Sequence, residues 1–150
     1  MAHSYAQIII HYIFSTKNRE KFIQPQLEKR LWQYMGGIAK KHDIIPYCIG
    51  GVEDHAHMLL FLPRTLSVAQ TIKLIKRGSS FWVHSTFPIL GNFGWQEGYG
   101  AFSVSYSNLE KVKQYIENQR EHHRHITFKE EFLTFLKKYN IPYDERYIWD

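Results

Sequence analysis

Two histidines separated by one residue stand in the segment Asp54-His55-Ala56-His57-Met58-Leu59-Leu60. In an extended strand residues two apart project from the same face, so these imidazoles could grip one metal ion. Two ordinary half-buried histidines would show the same spacing, and only a third ligand separates the readings. One candidate comes from the stretch after Asn108, where Leu109, Val112 and Ile116 make an apolar helical stripe and Tyr115, Gln119 and His122 a second stripe beside it. A tyrosine one turn before a glutamine is most simply an amphipathic surface pair; as chemistry it offers a nucleophile. The run His122-His123-Arg124-His125 places two imidazoles three apart, but helix-end histidines that complement the C-terminal dipole explain it better than a second metal site. Glu53 and Asp54 suit both a hairpin turn and the orienting of imidazoles, and they stay unassigned.

These side chains need elements to position them. Gln7 to Phe14 is dense in β-branched and aromatic residues and reads as a first strand, closed by the polar loop Ser15-Thr16-Lys17-Asn18-Arg19. Pro25 suits a first helical turn, and Leu27, Leu31, Tyr34, Met35 and Ile38 recur at helical steps, although Gly36-Gly37 weakens the last turns. Ile44 to Val52 and His57 to Leu62 read as a hairpin turning at Glu53-Asp54, with Gly50-Gly51 as a candidate bulge. Ser67 caps a helix that turns Val68, Ile72 and Ile75 inward and carries Lys73, Lys76 and Arg77. Ala101 to Tyr106 alternates as a fourth strand. Asn108 is placed to cap a third helix running to about His123, and Thr127 with Glu130 makes a capping box for a terminal helix.

The order β-α-β-β-α-β-α plus a C-terminal helix predicts an α+β, ferredoxin-like split β-α-β domain. Its four-stranded antiparallel sheet is expected to carry helices on one face, leaving the other free. One domain spanning residues 1–150 is expected, since 150 residues without repeats or linkers suffice for a single core. A single cysteine, Cys48, excludes an intramolecular disulfide, and the absence of a leader-like or membrane-length apolar run points to a soluble cytoplasmic protein. The formal charge of +5 and 16% aromatic residues favour a polyanionic partner held by stacking and phosphate contacts. Lys73, Lys76 and Arg77 are the first candidates for nucleic-acid contact, and Lys17 and Arg19 follow; a solvated helix face is the plainer alternative.

The strand ending in Asp54-His55-Ala56-His57-Met58-Leu59-Leu60, the basic helix with Gly78-Ser79-Ser80, and the later Tyr115-Ile116-Glu117-Asn118-Gln119 together resemble the single-tyrosine HUH transposases. The segment from Trp95 to Ser105, followed by Tyr115 to Gln119 and His122-His123-Arg124, looks like the signature of one subgroup, related to transposases associated with repetitive extragenic palindromes. The resemblance covers almost the whole chain. It implies that His55 and His57 are the HUH histidines, Gln119 the third metal ligand, Tyr115 the nucleophile and Mg²⁺ or Mn²⁺ the ion. It further implies recognition of hairpins in single-stranded DNA, cleavage nearby through a 5′-phosphotyrosine, and strand rejoining without ATP. A homodimer is implied, with the tyrosine-bearing helix able to complete the partner subunit's site, as is action at the nucleoid of a prokaryotic cytoplasm. A non-catalytic single-strand binding module on the same sheet and a metal-dependent nuclease that releases hydrolysed ends are the competing functions.

Overall fold

A computed structural model describes residues 3–150. The elements are β1 (Ile9–Ser15), α1 (Pro25–Lys41), β2 (Ile45–Val52), β3 (His55–Phe61), α2 (Val68–Thr86), β4 (Gly100–Ser103), α3 (Leu109–Glu117), α4 (Gln119–His122) and α5 (Phe128–Lys138). The strands form one antiparallel sheet in the order β2-β3-β1-β4. This is the split β-α-β arrangement, in which β3 lies between β1 and β2.

The alternation of side chains divides the strands between two cores. Tyr12 and Phe14 of β1, with Ala56, Met58 and Leu60 of β3, face Leu27, Leu31 and Met35 of α1 and Ile72, Ile75 and Val83 of α2. On the opposite face Ile9 and Leu59 pack against Leu109 and Ile116 of α3, while Ile13 and Phe102 pack against Phe128, Phe132 and Leu136 of α5. The expectation of a free second face is therefore corrected: α3 and α5 cover it. Their apolar stripes require a partner surface, and the odd-numbered β1 and β3 residues provide it.

Several local readings shift. Strand β3 starts at His55, because the Glu53-Asp54 turn occupies only two residues. Strand β4 is shorter than the alternation suggested and ends at Ser103. The α1 helix runs through Gly36-Gly37 to Lys41, held by its buried stripe. The register shift in β2 falls between Pro46 and Cys48, where an edge strand tolerates a residue without an amide proton, rather than at Gly50-Gly51. Ser67 and Thr127 form full capping boxes, whereas the Asn108 side chain makes no capping hydrogen bond. The expected single third helix is broken at Asn118, which separates α3 from α4.

The two glycines of β2 serve close approach. A Cβ on Gly50 would stand 3.2 Å from Ile116 Cγ2 and 3.4 Å from the Ile116 carbonyl, so α3 lies almost on the strand. A Cβ on Gly51 would collide with the His55 carbonyl oxygen and reach 3.0 Å from Ala56 Cα. Gly51→Ala should therefore cost about 2 kcal/mol of stability, read as a lowered urea midpoint at unchanged slope. A midpoint equal to that of the parent chain would contradict this account of the hairpin.

Candidate metal and nucleophile centre

His55 and His57 begin β3 and point to the face covered by α3, α4 and α5. Both are fully buried, and Gln119 and Glu131 are each 1% exposed beside them. His55 Nε2 lies 2.9 Å from Gln119 Oε1. Glu131 comes from α5 and places Oε1 3.2 Å from His57 Nε2, 3.4 Å from His55 Nε2 and 3.0 Å from His123 Nε2. Its other oxygen accepts hydrogen bonds from the Tyr115 hydroxyl and, at 3.2 Å, from Gln119 Nε2. One donor atom from each of His55, His57, His123 and Glu131 lies within 4.8 Å of the others, a set able to hold a metal ion.

Surrounding groups fix the imidazoles. Asp54 Oδ1 lies 2.7 Å from His55 Nδ1, His11 Nε2 lies 2.8 Å from His57 Nδ1, and the Ile126 carbonyl lies 2.8 Å from His123 Nδ1. Such partners set ring orientation and basicity. Electrostatics follow from burial and from the Glu131 charge. Burial opposes ionisation of Glu131, but the imidazoles of His57, His123 and His55 outweigh it and hold this carboxyl far below the usual range. Burial lowers His57, against the pull of Glu131, and lowers His11 strongly, with His57 adding to the effect. At His123 burial is overcome by the hydrogen bond and charge of Glu131, and its pKa rises. Burial opposes the charge of Asp54 as well, yet the hydrogen bond from His55 keeps it low. Burial and then the charge of Glu131 push the Tyr115 phenol up, so the tyrosine rests protonated.

A cleft of about 540 Å³ opens over this centre between α3 and α5. Its lining includes His11, Tyr115, His122 and Glu131, with Lys111 and Lys138 also on its walls. The Tyr115 hydroxyl lies 3.2 Å from His122 Nε2.

Of the residues singled out in the sequence, His55, His57, Gln119 and Tyr115 converge within one chain. The basic candidates do not join them. Lys73 and Arg77 are exposed on α2, across the sheet from the histidines. Lys76 is half-buried and donates to the carbonyls of Gln96 and Gly98 at 2.7 Å each, above the rings of Phe14 and Tyr99. Burial pushes its ammonium down to about 8. This lysine clamps the loop before β4, and its donors are not free for phosphate. Lys17 is exposed, and Arg19 leans on Trp149 with a bond to that residue's carbonyl at 3.4 Å.

Three participants escaped the sequence reading. Glu131 adjoins the capping residue Glu130, but it shares the inward side of α5 with Phe128 and Phe135; a carboxylate inside an apolar stripe was the available signal. His123 lay in a cluster explained by the helix dipole. His11 lay inside an apolar strand run, on the side chain alternation of Ile9 and Ile13.

Residues 4–119 match the family described as Transposase IS200 like. The chain belongs to that family. A crystal structure of a candidate transposase from Deinococcus radiodurans R1 is similar at 25% identity and a TM-score of 0.65, over 79% of this chain and 96% of that one. A REP-associated tyrosine transposase bound to a REP hairpin shares the fold at 14% identity and a TM-score of 0.60, over 82% of this IS200-like chain and 73% of the other. No curated protein matches the sequence. Among the described residues, no helix is long and apolar enough to cross a membrane.

Lys76→Met should lower the stability of this transposase-family domain by about 2 kcal/mol, since two carbonyls lose a charged donor, while changing nucleic-acid affinity little. Denaturant titration and a filter-binding assay run side by side check both halves. In the metal-free protein Glu131 and Asp54 are depressed relative to the unfolded chain, so they contribute stability above their unfolded pKa that is lost as pH falls through the acid range. Charging the depressed His57 and His11 on unfolding acts in the same direction. Stability should thus decline from about pH 6 downwards, and the decline should be shallower in Glu131→Gln. Equal acid slopes for the two proteins would contradict this.

Proposed function

We propose that this IS200-like transposase binds single-stranded DNA carrying a hairpin, cleaves the strand nearby through a 5′-phosphotyrosine and rejoins strands from that intermediate. The observation that carries the reading is the meeting, under one open cleft, of the Tyr115 phenol with the buried His55, His57 and Gln119. An imidazole pair with an amide oxygen is a donor set that suits Mg²⁺ or Mn²⁺ with positions left for phosphate and water. When bound, that ion offsets the charge of the scissile phosphate and polarises its phosphorus.

The chain's own residues supply the remaining work. Lys111 and Lys138 bring positive charge to the walls of the cleft and draw the strand towards Tyr115. The Tyr115 oxygen forms a bond to phosphorus as the bond from phosphorus to the 3′ oxygen breaks. The departing oxygen gains a proton and becomes a 3′-hydroxyl, and the phenol loses one. At rest the phenol donates to Glu131 Oε2; His122 Nε2, 3.2 Å from the phenol oxygen, takes the proton once the hydroxyl hydrogen turns to it, and burial keeps its imidazole below its ordinary pKa and hence neutral near pH 7. The phosphotyrosine conserves the ester bond, so a second 3′-hydroxyl reverses the step on a new strand without ATP. Lys73 and Arg77, and more weakly Lys17 and Arg19, remain for contacts with the hairpin away from the cleft. The similarity to a transposase bound to a REP hairpin supports that class of substrate. The homodimer implied by the resemblance would bring two such centres into one assembly.

A labelled single strand bearing a hairpin, incubated with and without Mn²⁺, should give a denaturation-resistant protein–DNA adduct only with the ion. Tyr115→Phe should bind the DNA as before and form no adduct. An adduct in that variant would remove Tyr115 from the mechanism, free 5′-phosphate without adduct would indicate a hydrolytic nuclease, and binding that ignores chelation with no cleavage would indicate a binding module.

A further inference from the structure

We infer that Glu131 and His123 are direct ligands of the metal, so that the ion is held by three imidazoles and a carboxylate rather than by two imidazoles and an amide alone. This rests on the metal-dependent reading above and sharpens its ligand set.

The first argument is proton accounting. The Nδ1 atoms of His55 and His123 face the Asp54 carboxylate and the Ile126 carbonyl, groups that only accept. Each Nδ1 therefore carries a proton, and in the neutral ring each Nε2 carries a lone pair. Those lone pairs point at Glu131 Oε1, at 3.4 Å and 3.0 Å, and His55 Nε2 also meets Gln119 Oε1 at 2.9 Å. Acceptors thus face acceptors. Turning over the Gln119 amide does not help, because its oxygen would then face Glu131 Oε2, to which its nitrogen now donates. A cation at the convergence point satisfies every lone pair at once.

The second argument is spacing. Ligands about 2.1 Å from an ion stand about 3.0 Å apart at neighbouring octahedral corners and about 3.4 Å apart in a tetrahedron. Glu131 Oε1 stands 3.0, 3.2 and 3.4 Å from the Nε2 atoms of His123, His57 and His55. Three edges of a coordination shell, those that meet at Glu131 Oε1, are already in place.

Two consequences distinguish this set. The carboxylate reduces the net charge of the filled centre from +2 to +1, and a nitrogen-rich shell favours Mn²⁺ and Zn²⁺ over Mg²⁺. Calorimetry on the metal-stripped full chain, with the free Mn²⁺ signal followed by electron paramagnetic resonance, tests both. Zn²⁺ should bind more tightly than Mn²⁺ and Mn²⁺ more tightly than Mg²⁺. Glu131→Gln and His123→Gln should each weaken Mn²⁺ by about tenfold or more, while Tyr115→Phe should not. If both variants bind Mn²⁺ as the parent does and Gln119→Ala does not, the ligands are His55, His57 and Gln119; the inference is then wrong while the transposase reading stands. If the parent chain takes up no Mn²⁺, the inference falls, and the adduct assay reports separately on the reaction. Should a variant fail to fold, ¹⁵N-histidine-labelled parent protein titrated with Zn²⁺ decides the matter: the Nε2 resonances of His55, His57 and His123 should all move, and an unmoved His123 Nε2 would overturn the inference.

Discussion

A single carboxylate organises this protein's centre. Glu131 is buried in the layer between the sheet and its outer helices, where an ionised group survives only if it is surrounded by donors or cations. From α5 it gathers side chains of β3, α3, α4 and the turn after α4, because His57, Tyr115, Gln119 and His123 each direct a polar atom at it. Removing its neighbours would strand a charge, and removing the charge would leave the Tyr115 hydroxyl and the Gln119 amide without their acceptor. The polar centre and the apolar packing around it are thus mutually dependent: Phe128 and Phe132 seat α5 against Ile13 and Phe102, and that seating delivers the carboxylate.

The two faces of the sheet divide the labour. One carries the larger apolar core beneath α1 and α2 and has no part in the chemistry beyond holding β1 and β3 flat and adjacent. The other mixes apolar contacts with polar ones along the same strands, so that Ile9 and Ile13 flank His11, and Leu59 follows His57. The histidines are therefore built into a packed layer and not displayed on an open surface. Access comes from the side, through the cleft between α3 and α5, where Tyr115 is half-buried and its hydroxyl meets both the interior and the solvent.

Much of this was legible in the order of residues. The alternation in β1 and β3, the capping boxes at Ser67 and Thr127 and the two-residue turn before His55 are local signals, and local physics honoured them. His55, His57, Tyr115 and Gln119 stand out by their short-range spacing on a strand and a helix, and the family resemblance then selects them. Glu131 offered only a carboxylate inside an apolar stripe, since its role depends on where α5 docks, more than seventy residues from His55 and His57. The covering of the second face was hidden for the same reason: an amphipathic stripe shows that a helix must pack, without showing against what. Lys76 illustrates the opposite error. Beside Lys73 and Arg77 it reads as one of a basic group, yet a step of about 100° around the helix from Arg77 places its ammonium among loop carbonyls instead of solvent.

The absence of a side chain at Gly50 lets Ile116, the neighbour of the tyrosine, rest directly on β2. The height of α3 above the sheet is consequently set by the Ile116 methyl and carbonyl resting on bare strand backbone. A graded series of alkyl groups at that position would act as a wedge of known thickness, lifting the phenol away from the imidazoles by increments without altering a single reactive atom.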